Sequence, residues 1–109
     1  MIYKTYKGAR LDLEFYQGKS TIDYEIEVLN DDGSDFDFTV FDSIDLSVKY
    51  RQHGEEIISE EVDTQDNYIL LSITKEQSES LQTREYWYEI YATDGDEEEL
   101  VVYGLFKVV

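Results

Sequence analysis

Residues 81–109 constrain the fold of this chain more than any other segment, because they read as two long strands joined by a tight turn. The turn is Thr93-Asp94-Gly95-Asp96, and an Asp-Gly pair between alternating apolar residues is a strong hairpin signal. Successive side chains of a strand lie on opposite faces. One face of the hairpin is therefore predicted to line a core, and its residues are Tyr86, Tyr88, Ile90, Ala92, Val102, Gly104, Phe106 and Val108.

The opposite face of the same hairpin is also largely apolar, although the solvated face of an antiparallel sheet is normally polar. Mixed aromatic and aliphatic side chains on such a face are typical of a protein–protein interface. Two interpretations stay open, since either a partner protein or another part of this chain can cover the face. We call its apolar residues the predicted interface: Trp87, Tyr91, Val101, Tyr103 and Leu105.

The aromatic members of the predicted interface also allow a carbohydrate-binding module as an alternative. Trp87, Tyr91 and Tyr103 on one face would suit stacking on a pyranose ring. Val101 and Leu105 share that face, however, and aliphatic side chains gain little from contact with a sugar. The protein interface is therefore the preferred interpretation.

Alternating apolar and polar residues predict strands in most of the remaining chain. The predicted strands cover 11–15, 22–28, 44–50, 56–62 and 67–73, with turns at 17–19, 30–33 and 52–54. Residues 1–9 are predicted to form an edge strand or an arm, and 36–41 a short strand or an ordered crossing loop. Thr74 and Gln77 have capping-box spacing, which predicts one short helix near 75–81. The pattern indicates an all-β, antiparallel β-sandwich of seven or eight strands.

Length and composition bound the class of protein. At 109 residues without cysteine, the chain is expected to form one domain, 1–109, without disulfides or thiolate metal sites. No apolar run approaches the ~20 residues of a membrane-spanning helix, and the N-terminus lacks the core of a signal peptide. Synthesis in a cytoplasm is therefore expected.

The net charge of −17 excludes most nucleic-acid and membrane functions. Such a surface repels phosphate backbones and anionic lipids, so neither is expected as a partner. Solubility alone can explain the net negative charge. The alternative is an acidic inhibitor that imitates DNA and binds a DNA-binding protein of the host.

Catalytic and metal-binding residues are not expected. His53 is the only histidine, and it lies in a predicted turn without a neighbouring nucleophile. The acidic segments 30–37 and 94–99 are dense in the oxygen ligands that calcium prefers, but neither has the spacing of a calcium-binding loop. Solvated turns explain them better. We therefore predict a non-enzymatic protein without a cofactor.

From Ile44 onward, the order of features resembles a group of small phage virion domains. Their best-known member is the N-terminal domain of the upper baseplate protein of siphophages that infect Gram-positive bacteria. The matching features are Ile44-Asp45-Leu46-Ser47-Val48, the strand 68–73, the capped helix 74–81, Tyr86-Trp87-Tyr88-Glu89-Ile90 and Tyr103-Gly104-Leu105-Phe106-Lys107-Val108. One departure is Thr83-Arg84-Glu85, where the family often has glycine.

The resemblance implies an immunoglobulin-like sandwich with a structural, non-enzymatic role. Such domains are subunits of tails, baseplates, necks or capsid surfaces. The implied partners are other virion proteins, further copies of this chain in a homo-oligomer, or both. The protein is accordingly expected in the virion after synthesis in the host cytoplasm, and the predicted interface is the expected docking surface.

Overall fold

A computed structural model describes the protein in residues 2–18 and 22–109. The predicted turn at 17–19 extends beyond these ranges. The described strands are β1 (Ile2–Tyr6), β2 (Ala9–Arg10), β3 (Leu13–Phe15), β4 (Ile22–Leu29), β5 (Ser43–Lys49), β6 (Glu56–Glu61), β7 (Asp63–Gln65), β8 (Tyr68–Ile73), β9 (Arg84–Asp94) and β10 (Glu97–Val108). One α-helix, α1 (Lys75–Ser80), separates β8 from β9.

The strands form two sheets that pack face to face. The smaller sheet has the order β1-β4-β8-β7, and the larger sheet has the order β2-β10-β9-β5-β6, with β3 also beside β10. These orders correspond to the A-B-E-D and G-F-C-C′ sheets of an immunoglobulin-like sandwich. The prediction of an all-β sandwich with one short helix is confirmed.

Both sheets are mixed, because the N-terminal strands pair in parallel. β1 runs parallel to β4, and β2 and β3 run parallel to β10. Residues 2–15 thus cross from the smaller sheet to the larger one. Alternation along a strand reports which face is buried but not the direction of the neighbouring strand, so the sequence predicted only antiparallel pairing. β1 is an edge strand of the smaller sheet.

The core lies between the two sheets and includes the predicted inner face of the β9–β10 hairpin. Tyr88, Ile90 and Phe106 are fully buried there, opposite Ile26 and Leu71 of the smaller sheet. The Tyr88 hydroxyl donates a hydrogen bond to the carbonyl of Leu11, and burial raises the pKa of that hydroxyl. The whole predicted inward set is buried, which confirms the parity assigned to that face.

Tyr86 fixes the start of β9. Its hydroxyl donates to the carbonyl of Gln82 at 3.2 Å and accepts from the amide of Gln82 at 2.9 Å. A tyrosine at this corner, bonded to the backbone a few residues upstream, is a feature of immunoglobulin-like sandwiches. It stabilises the connection between α1 and the hairpin.

Helix α1 is capped as the sequence predicts. Thr74 Oγ1 accepts from the amide of Gln77 at 3.1 Å, and Gln77 Oε1 accepts from the amide of Thr74 at 3.0 Å. The buried Ser78 hydroxyl donates to the carbonyl of Tyr16 at 3.1 Å and accepts from the amide of Gly18 at 2.9 Å. These bonds attach the helix to the segment that follows β3.

Residues 36–41 form an ordered crossing loop with one 3-10 turn at Phe38–Val40. Asp37 Oδ1 accepts from the amide of Thr39 at 2.9 Å and from its hydroxyl at 2.6 Å. Phe36 and Phe38 are buried. Local capping by Asp37 therefore favours a turn at a segment whose alternation also suited a strand.

Gly104 allows the N-terminal segment to lie against β10. A Cβ atom at this position would be 2.5 Å from the carbonyl oxygen of Leu11 and 2.8 Å from Oδ1 of Asp12. Real Cβ atoms do not approach oxygen that closely. Glycine is thus required at position 104, because residues 11–12 cross β10 closely. Any side chain at position 104 would displace residues 11–12.

Candidate protein-binding face

The face of the larger sheet that points away from the core carries the predicted interface. We call it the outer face. Strand register places its residues in three rows across β10, β9 and β5, which are Leu105-Trp87-Lys49, Tyr103-Glu89-Ser47 and Leu100-Tyr91-Asp45. Trp87, Tyr91, Tyr103 and Leu105 are all half-buried and lie together on this face.

Val101 does not lie on the outer face, so its predicted outward placement is wrong. The register of β10 against β9 shifts between Leu100 and Val102, which makes Val101 the extra residue of a β-bulge. Its side chain is fully buried in the core. The bulge reverses the parity of the residues before it, and Leu100 thereby reaches the outer face opposite Tyr91.

Glu89 organises the polar groups of the outer face. Its carboxylate accepts from Lys49 Nζ at 2.7 Å and from the hydroxyl of Tyr91 at 2.8 Å. Partial burial raises the pKa of Glu89, but the bonds from Lys49 and Tyr91 outweigh it and leave this pKa below its ordinary value. Burial and the bond to Glu89 raise the pKa of Tyr91 to about 12. Glu89 is thus held ionised in the middle of the aromatic cluster.

Trp87 is held between an aromatic ring and a cation. Its ring centroid is 5.6 Å from that of Tyr103, and the guanidinium of Arg10 lies over the indole at 5.9 Å. Its Nε1–H is buried and makes no hydrogen bond with any described residue. This N–H lowers the pKa of the neighbouring Glu89 carboxyl, but the two groups do not have the geometry of a hydrogen bond. With Arg10 over the ring, the indole is a poor platform for a pyranose.

Arg10 is itself held by Asp12. Asp12 Oδ1 accepts from Arg10 Nε at 3.0 Å and from the amide of Leu105 at 2.9 Å. The Leu105 amide, followed by Arg10, holds the pKa of Asp12 below its ordinary value against a smaller effect of burial. The N-terminal segment therefore forms one border of the outer face. Sequence reasoning missed Arg10, because only the parallel pairing of β2 with β10 brings it there.

An acidic depression of about 340 Å³ borders the outer face and is lined by residues of β5, β6, β9 and β10. Asp45, Glu56 and Glu98 line it, and Lys49 is its only cation. That cation is already bound to Glu89 at 2.7 Å. Among the described residues, the three carboxylates have no ion pair. The face therefore combines an apolar centre with an acidic border.

The residues that the sequence analysis considered and set aside as catalytic or metal ligands lie as follows in the described ranges. His53 is exposed in the turn between β5 and β6. Within residues 2–18 and 22–109, no group of three or more His, Cys, Asp or Glu side chains is placed to hold a metal ion. Asp32 instead accepts from the amide of Ser34 at 3.0 Å. No helix in the described part of the chain is long and apolar enough to cross a membrane.

The fold and this face define an immunoglobulin-like sandwich with a partly apolar outer sheet surface. No family model matches the sequence, and no curated protein matches it. Solved structures do match in fold. One is the N-terminal domain of phage TP901-1 ORF48, with a TM-score of 0.59, 9% sequence identity, and coverage of 99% of this chain and 98% of that chain. At this identity the likeness shows a common fold.

Proposed function

We propose that this protein is a non-enzymatic structural subunit of a phage particle, in the tail, baseplate, neck or capsid surface. The observation that carries the proposal is the likeness in fold to a domain of a phage protein across nearly the full length of both chains. The resemblance of the strand pattern from Ile44 onward to phage virion domains supports the same conclusion. The protein acts by binding other virion proteins.

The docking surface is the outer face, with Trp87 at its centre. Four of the five residues of the predicted interface lie there, joined by Leu100 in the place of Val101. Half-buried aromatic residues surrounded by polar groups are the usual composition of an interaction hot spot.

The experiment is complementation in the phage or prophage that encodes this chain, with the gene deleted and supplied in trans. Gradient-purified particles are analysed by mass spectrometry for this chain. We expect the wild-type protein in the particles at a fixed ratio to the other structural proteins. Trp87→Ala should reduce its incorporation, because loss of a central anchor costs about 2 kcal/mol, or roughly 30-fold in affinity.

Tyr16→Ala is the matched control, since Tyr16 is an exposed aromatic residue outside the outer face. It should be incorporated like the wild type. Circular dichroism must show that both variants are folded. If the wild-type chain is absent from purified particles and remains in the soluble lysate, the structural role is wrong. Equal incorporation of Trp87→Ala and wild type would remove the outer face from the proposal.

A further inference from the structure

Each sheet ends in a strand that has one unpaired edge. Among the described residues, β1 pairs only with β4, and β6 pairs only with β5. The two strands have five and six residues. The free N–H and C=O groups of an edge strand form a template on which another strand can add. The two edges are therefore comparable in length and open to the same kind of contact.

The two edges carry opposite charges. β1 and the residue that follows it contain Lys4 and Lys7 and no acidic residue, in a chain whose net charge is −17. β6 contains Glu56, Glu60 and Glu61 and no basic residue. Opposite charges on neighbouring strands stabilise their pairing, and like charges destabilise it.

Lys4 and Lys7 form only exposed ion pairs within the chain. Lys4 Nζ is 3.9 Å from Glu27 Oε1, and its side chain is 63% exposed. Lys7 pairs with Glu99 at 2.5 Å, also at the surface. Exposed ion pairs of this kind contribute little to stability. Both lysines can therefore exchange these partners for carboxylates on another molecule at low cost.

Apolar side chains lie beside the cations on the same strand. Ile2 is 68% exposed and Tyr6 is 48% exposed. They alternate with the inward Tyr3 and Thr5, so Ile2, Lys4 and Tyr6 share the outward side of β1. A strand that adds beside β1 would form hydrogen bonds with the free N–H and C=O groups of β1. It would also cover this apolar surface.

The two edges lie on opposite sides of the sandwich. β1 is the first strand of the smaller sheet, and β7 is the last. β6 continues into β7 through the single residue Val62, so the β6 edge lies on the side opposite β1. A contact between these edges within one molecule is excluded by this arrangement, whereas a second copy can bring its β6 to β1 of the first.

We propose that β1 of one copy adds to the free edge of β6 in a second copy, so that copies join head to tail. Pairing of β1 with β6 places the basic strand beside the acidic strand. Pairing of β1 with β1, or of β6 with β6, would set like charges against each other. A head-to-tail contact that repeats generates a ring when the rotation closes and a filament when it does not. The β6 edge adjoins the acidic border of the outer face through Glu56, and the contact does not include Trp87.

The test measures self-association of the full chain by light scattering and sedimentation velocity at physiological ionic strength. That salt concentration screens the repulsion between two acidic molecules beyond ~8 Å and leaves charge pairs in contact largely intact. The wild type should associate with increasing concentration. Lys4→Glu and Glu61→Lys should each weaken association by about tenfold or more, because Lys4→Glu leaves the β1 edge with Lys7 at no net charge and Glu61→Lys leaves β6 with one net negative charge in place of three.

An equimolar mixture of Lys4→Glu and Glu61→Lys distinguishes edge pairing from a general effect of charge. The unchanged β1 edge of the Glu61→Lys variant fits the unchanged β6 edge of the Lys4→Glu variant, so the mixture should form mixed dimers at a concentration where neither variant alone associates. Lys75→Glu and Glu79→Lys are matched controls with the same charge changes. Lys75 and Glu79 have side chains 62% and 54% exposed and pair with each other on α1, outside both edge strands. Neither control should change association.

Three results would overturn head-to-tail pairing. They are a monomeric wild type at every concentration, loss of association in the Lys75→Glu control equal to that in Lys4→Glu, and failure of the mixture to associate. None of them bears on the outer face, whose test is the incorporation of Trp87→Ala into particles. A protein that fails the self-association test can still bind a virion protein through Trp87.

Discussion

The two faces of the β9–β10 hairpin are both rich in aromatic residues but differ in what covers them. Tyr88 and Phe106 on the inner face are completely buried beneath the smaller sheet. Trp87 and Tyr103 on the outer face are half-buried, and among the described residues the side chain of Arg10 is the group that lies over the indole. Apolar composition alone therefore does not distinguish a core face from an outer face. The two faces differ because the smaller sheet covers only the inner one.

Polar groups differ between the two faces in the same way. On the inner face, the hydroxyls of Tyr86 and Tyr88 each have a backbone partner. On the outer face, the Lys49-Glu89-Tyr91 network is satisfied, but Nε1–H of Trp87 is not. A core tolerates few unpaired donors, and because this N–H is also buried, the outer face is less completely supplied with polar partners than the inner face.

The largest expected effect is on the inner face. Phe106→Ala removes a fully buried ring that stacks on Phe15 at 4.2 Å, and it should lower the free energy of unfolding by about 3–5 kcal/mol. Leu105→Ala, one residue away on the outer face, is the matched control and should cost about 1 kcal/mol. Urea denaturation followed by the fluorescence of Trp87 measures both. Equal losses would mean that the two faces are equally covered.

Gly104→Ala tests the crossing that brings Arg10 to the border of the outer face. The new Cβ would lie 2.5 Å from the carbonyl of Leu11, so the N-terminal segment must shift. We expect a loss of about 1–3 kcal/mol in unfolding free energy, together with faster hydrogen exchange at the amide of Leu105. Unchanged exchange at that amide would show that β10 does not depend on the glycine.

Trp87→Ala should separate stability from binding. Because the indole is only half-buried, we expect a loss of about 1–2 kcal/mol in unfolding free energy, smaller than that for Phe106→Ala. Thermal unfolding followed by far-ultraviolet circular dichroism measures it without tryptophan fluorescence. A loss as large as that of Phe106→Ala would identify Trp87 as a core residue and contradict its role as an anchor for a partner.

The smallest effect concerns Tyr91, whose pKa is raised to about 12 by burial and by the bond to Glu89. Because the folded-state pKa exceeds the ordinary value of 10.0, Tyr91 contributes stability that is complete below pH 10 and is lost as pH rises toward 12. Glu89→Gln should lower this pKa, since it removes a nearby negative charge. Ultraviolet titration of tyrosinate ionisation measures the change. A Tyr91 pKa unaltered by Glu89→Gln would leave burial as the sole cause.

Local patterns predicted much of this architecture because their physical causes are local. The Thr74 and Gln77 spacing predicted a capped helix, and the cap is present. Alternation in the last hairpin predicted its inner face correctly. The adjacent Ile57 and Ile58 left the parity of β6 open, and a register shift opposite Val48 and Lys49 accounts for the irregularity.

Long-range features could not be predicted in the same way. The bulge that buries Val101 and turns Leu100 outward depends on the register between two strands, and no residue type at 100–102 signals it. Arg10 reaches Trp87 only because β2 runs parallel to β10. Both features alter the membership of the candidate site, although neither alters the class of fold.

By itself, the sequence determined most of the strands, the short helix, the acidic surface and the presence of a second apolar face on the final hairpin. These follow from side-chain periodicity, capping chemistry and charge, which act over a few residues. The tertiary structure alone decided which hairpin residues that face contains, which N-terminal residues border it, and which strands are left with a free edge. Those features depend on register and pairing between distant segments, where the free energy is set by the packing of the whole sandwich.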